Sequence, residues 1–198
     1  MTTSLSPISE PLGEATFGFF TIIEDPVVGY LGGYLVVDRR GRPQEFHCTA
    51  PVKPSRAEEI LFGPTLLPHL SCERIGAALL ARASTQVDLV IVNQVDSWAL
   101  ADETQVPVVL LQPASTTDEL LTDRSTESAQ LDRIDPVLRQ DAERRLQELS
   151  RSVELSEPFE RIVEAIREAG QLERSEPAEE PTIEPSNVTG EVRIDDAA

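Results

Sequence analysis

Two short apolar runs limit what this chain can fold into. DLVIVNQ at 88–94 and VPVVLLQP at 106–113 are almost uninterrupted by polar side chains. A strand with one wet face alternates apolar and polar residues. A strand without that alternation is buried on both faces, as in sheets covered by helices on either side. Between the two runs, SWALADE leaves room for a short helix at most. Parallel neighbours joined by a crossover satisfy these constraints, and they imply an α/β fold.

The residues upstream supply more strands. FGFFTIIED (17–25) is aromatic and β-branched and is stopped by Pro26; VVGYLGG reads as a flexible turn, and GYLVVD (33–38) as a second strand. Arg39-Arg40-Gly41-Arg42-Pro43 is turn chemistry, and QEFHCTAPV (44–52) reads as a third strand, so the last two form an antiparallel hairpin with a basic tip. Ser55 is placed to cap a short helix, RAEEILF; Gly63-Pro64 breaks it, and a second helix runs over 66–83 with Pro68 in its first turn. The result is a mixed five-stranded sheet in βββαβαβ order. It occupies an α/β domain at 17–113, behind a flexible N-terminal arm at 1–16.

Beyond it, 114–134 reads as a polar connector and 135–170 as two helices. The first has Asp135 as cap, Pro136 at the first position and a stripe of Val137, Leu138, Leu146, Leu149 and Val153. The second presents Phe159, Ile162, Val163 and Ile166 on one face, with Gly170 as its stop. The Glu- and Pro-rich segment 171–198 has little to bury and is expected to be a disordered acidic tail.

This strand order resembles that of the ribonuclease H-like fold. The resemblance implies carboxylates on the first strand, the first helix and the fourth strand, holding two divalent cations for phosphodiester cleavage. The positions available here are Glu24 and Asp25 at the end of the first strand, Glu58 or Glu59 on the helix, and Asp96 beyond the fourth strand. The middle of the first strand is instead Phe19, Phe20, Thr21 and Ile22, and the fourth strand ends in Asn93. The resemblance therefore implies an inactive or repurposed relative.

The net charge is −18 over 198 residues, and two thirds of the excess lies beyond residue 117. Phosphate polymers and anionic membranes are repelled by such a chain, so general nucleic-acid or membrane binding is not expected. The opening residues lack the basic and apolar regions of a secretory signal, and two cysteines without one point to the cytoplasm. Against the acidic background, Arg39, Arg40, Arg42, Lys53 and Arg56 form a basic island suited to an anionic group or an acidic partner.

Four chemistry-bearing residues lie close together in sequence: His47, Cys48, His69 and Cys72. His47 and Cys48 are adjacent on a strand and point to opposite faces, so only one of them can join the helical pair His69 and Cys72 in a zinc site. Free cysteines are commonly core residues, and no metal or cofactor is expected. Glu45 and His47 share a strand face two residues apart, the spacing of a general acid/base couple. Two functions follow. The first is a non-enzymatic interaction or regulatory module whose protein partner meets the basic hairpin or the C-terminal helices. The alternative is a hydrolase or nuclease-like enzyme with its site at Glu45, His47 and Cys48.

Overall fold

A computed structural model describes residues 15–112, 128–131 and 133–175. One mixed sheet crosses the molecule in the order β3-β2-β1-β4-β5-β6. Its strands are β1 Thr16–Asp25, β2 Gly29–Asp38, β3 Pro43–Cys48, β4 Leu89–Val92, β5 Val108–Gln112 and β6 Ser128–Gln130. β1 runs parallel to β4, and β4 to β5; β2, β3 and β6 join antiparallel. The ribonuclease H-like order at topology level is present, with one strand more than the five expected. That strand, β6, lies in the segment read as a connector; three residues without an apolar pattern carry no strand signal.

The apolar residues at the centres of the two runs are buried: Leu89, Val90, Ile91 and Val92, and Val108 to Leu111, are at most 4% exposed. Side chains alternate between two cores. Phe17, Phe19, Leu35, Leu89, Ile91, Val109 and Leu111 face the helices α4 (Pro136–Ser150) and α5 (Glu157–Ser175). Phe20, Ile22, Tyr34, Val36, Val90 and Leu110 face the helical segment 66–82 and a 3-10 helix, Val95–Asp102. Each fully buried phenylalanine contributes roughly 1.5–3 kcal/mol by leaving water.

Local signals set the helix ends. Ser55 Oγ accepts from Glu58 N–H at 3.2 Å and the Glu58 carboxylate accepts from Ser55 N–H at 2.7 Å, a capping box that starts α1 (Arg56–Phe62). Asp135 caps α4 by accepting from Val137 N–H at 2.8 Å. The helix expected over 66–83 is continuous but not uniform. Leu66–Pro68 (α2) and Ala77–Arg82 (α3) are α-helical, while His69–Gly76 between them is π-helical.

Other expectations are corrected. Gly29–Gly33 is not a flexible turn but the first half of β2, because its glycines admit helices from both sides. A Cβ at Gly32 would sit 2.1 Å from Ile75 Cγ2, and one at Gly33 2.2 Å from Ile162 Cγ2. In α4 the buried residues are Ala142, Leu146 and Leu149; Val137 and Leu138 are 85% and 45% exposed, because the first turn extends past the sheet. Gly170 does not stop α5, which continues to Ser175. Most of the N-terminal arm and most of the expected acidic tail lie outside the described residues.

Candidate functional site

The β3 residues come together only in part. Glu45 and His47 share a face, as their spacing requires, and His47 Nε2 lies 2.6 Å from Glu45 Oε1. The carboxylate also accepts from Ser84 N–H at 2.8 Å, Thr85 N–H at 2.8 Å and Ser84 Oγ at 3.1 Å. These donors, the Ser84 backbone first and His47 next, hold the Glu45 carboxyl far below the usual carboxylate range. A carboxylate so committed clasps β3 to the chain leaving α3 and is a poor proton acceptor near neutral pH. Cys48 lies on the opposite face, against the core beneath α5. Phe46, on the Cys48 side of the strand, is 37% exposed.

The basic residues do not form one patch. Arg39, Arg40 and Arg42 ring the β2–β3 turn, held by Asp38, whose carboxylate accepts from Arg40 and Arg42 N–H at 2.8 and 3.0 Å. Lys53 and Arg56 follow the far end of β3, beyond the Tyr30–Val52 bridge. Six strand residues, about 20 Å, lie between the two groups. Arg56 is paired with Glu59 at 2.8 Å.

His69 and Cys72 do meet, on the wall of a cavity of about 210 Å³ beside the 3-10 helix. His47 does not reach them, being held by Glu45. Among the described residues no group of three or more His, Cys, Asp and Glu side chains is arranged to hold a metal ion.

Three of the carboxylates that the ribonuclease H resemblance singles out are occupied locally. Asp25 accepts from Val27 and Val28 N–H in the turn after β1. Glu58 belongs to the capping box and pairs with Arg74 at 3.1 Å. Glu59 holds Arg56. Where the middle of β1 passes the carboxyl end of β4, Thr21 Oγ1 donates to Asn93 Oδ1 at 2.8 Å. Gln94 Nε2 donates to Ile22 C=O at 2.9 Å and ties the chain leaving β4 to the same part of β1.

Asn93 opens onto a cavity of about 600 Å³, whose walls include Leu111, Phe159, Glu160, Glu164 and Arg167. This is where open α/β sheets accept ligands, outside the carboxyl ends of parallel strands. The Asn93 amide nitrogen has no hydrogen-bond partner among the described residues. Leu111, Phe159 and Val163 supply an apolar floor, while Glu160, Glu164 and Arg167 form an exposed rim along α5. Sequence reasoning named Asn93 only as a departure from the carboxylate pattern and missed the three charged residues. A polar residue directly after a doubly buried strand was the signal for the first; nothing in α5 distinguishes its rim charges from a solvated helix face.

No family model matches the chain, and no curated protein does. Among solved structures, a variant of Ciona intestinalis endonuclease V in complex with a 23mer DNA containing an inosine followed by a ribo-adenosine is similar at a TM-score of 0.35 and 8% identity. The match covers 52% of this chain and 47% of that one, about half of each. Beside this finding, the expected interaction module, its protein partner and the exclusion of general nucleic-acid binding are corrected. Phe159, Ile162 and Ile166 of α5 are at most 5% exposed, so that apolar face is spent on the sheet and does not dock a partner. The chain is thus similar, distantly and over part of its length, to a DNA-bound endonuclease.

Proposed function

We propose that this chain is a degenerate ribonuclease H-like domain, one that keeps the nuclease-like sheet but binds a nucleoside-sized ligand at its carboxyl edge without two-metal cleavage. The observation that carries the reading is the Thr21–Asn93 hydrogen bond, a neutral pair where the fold's chemistry needs converging carboxylates. A cavity of about 600 Å³ is ample for a nucleoside. Leu111 and Val163 offer apolar surface to a planar base, and the Asn93 amide offers donors to its edge. Glu160 and Glu164 accept from sugar hydroxyls, and Arg167 is the one cation at the rim among the described residues. A net charge of −18 disfavours long phosphate backbones but not a single nucleoside.

Calorimetry with a panel of nucleosides and nucleoside monophosphates, beside cleavage assays on DNA and RNA with Mg²⁺ or Mn²⁺, tests both halves. Saturable nucleoside binding, weakened about tenfold by Arg167→Glu or Glu164→Ala, supports the reading, since one charged hydrogen bond is worth about 1.5–3 kcal/mol. Metal-dependent cleavage by the purified chain overturns the loss of chemistry, and absence of binding across the panel overturns the site.

A further inference from the structure

The second cavity, between the π-helical segment and the 3-10 helix, is independent of the sheet-edge cleft. π-Helical turns are rare, are less favourable than α-helix, and occur frequently at functional sites. Here the i to i+5 pattern is seen where Ala77 N–H donates to Cys72 C=O. His69, Cys72 and Glu73 of this segment all line the cavity of about 210 Å³. The His69 ring lies flat on Phe62, with centroids 4.3 Å apart and planes at 18°. Its Nδ1 sits 3.0 Å from Glu73 Oε2, an ionic contact without hydrogen-bond geometry, and this buried nitrogen has no hydrogen-bond partner among the described residues. Cys72 is 2% exposed and donates its thiol hydrogen to Asp96 C=O at 3.3 Å, so it is held rather than poised to react. From the facing wall come Asp102, paired with Arg133 at 2.8 Å, and Glu103, whose carboxylate has no hydrogen-bond or ion-pair partner among the described residues.

We infer that this cavity is a binding site for a small primary ammonium ion, an amine with a short aliphatic stem. The cavity offers an aromatic wall of Phe62 and His69 to the stem and the free Glu103 carboxylate to the head. The Glu73 carboxylate, on the same wall, is a further acceptor for its hydrogens. A volume of about 210 Å³ lies below that of drug-sized sites and suits a ligand of a few heavy atoms. An anion would meet three carboxylates with only Arg133 nearby, and that guanidinium is already spent on Asp102.

The test is calorimetry and amide-shift NMR on the full chain with n-butylamine, its neutral analogue n-butanol, and tetramethylammonium. Saturable n-butylamine binding with shifts at residues 69–73 and 99–103 is expected, with n-butanol and tetramethylammonium at least tenfold weaker. Glu103→Gln, at an exposed position, is expected to weaken n-butylamine about tenfold without changing the melting temperature. Ala99→Leu, which fills the cavity from its far wall, should abolish binding. Equal binding of n-butylamine and tetramethylammonium that is unaltered by Glu103→Gln would overturn the inference, as diffuse charge attraction. Stoichiometric Zn²⁺ uptake lost in Cys72→Ser would overturn it as well, in favour of a metal site.

Discussion

Glu45 illustrates how a single residue changes meaning once its neighbours are known. By spacing it pairs with His47, and it does so at 2.6 Å. By position it also meets Ser84 and Thr85, 39 and 40 residues away. Its carboxyl titrates below the unfolded value, so the clasp is fully present above that value and is lost as pH falls through the folded one. The urea midpoint is therefore expected to fall between about pH 5 and pH 2, and Glu45→Gln should flatten that slope. An unchanged slope in the variant would mean the clasp adds nothing to stability. The strand alternation that separates Glu45 and His47 from Cys48 was legible from sequence, because side-chain direction in a strand is a two-residue rule. The clasp was not, since it joins segments whose approach only the sheet and α3 determine.

Elements show the same division. The cap at Ser55 and the buried runs of β4 and β5 rest on interactions within a few residues, and sequence reads them directly. The conformation of Gly29–Gly33 does not. Glycine pairs suggest a turn, yet here they admit Ile75 from one face of the sheet and Ile162 from the other. Gly33→Ala is expected to cost about 1–3 kcal/mol in urea unfolding, as overpacking does, and to cost less in an Ile162→Ala background, where the clashing Cγ2 methyl is gone. On α4, Leu149→Ala at a fully buried site should cost about 2–5 kcal/mol, while Val137→Ser, largely exposed, should stay within about 0.5 kcal/mol. Similar losses at both positions would contradict the way α4 is docked.

For the whole molecule, α4 and α5 complete the domain. One of the two cores is built from β1, β2, β4 and β5 together with Leu146, Leu149, Phe159, Ile162 and Ile166. A chain ended at residue 112 would leave that sheet face bare, and is expected to be insoluble or to bind a hydrophobic dye with loss of near-ultraviolet circular dichroism. A cooperative melt of that fragment would instead establish 17–113 as a domain in its own right.

By itself, then, the sequence determined the α/β class, the two doubly buried strands, the caps of α1 and α4 and the α5 face of Phe159, Ile162 and Ile166. Each follows from periodicity or from bonds between near neighbours. Only the tertiary structure decided that the basic residues split into two groups, that Thr21 meets Asn93 across 72 residues, and that His69 faces Glu103 across a cavity. Those pairings depend on strand register and on where helices settle against the sheet. Both are fixed by summed packing over many side chains, and no local pattern carries that sum.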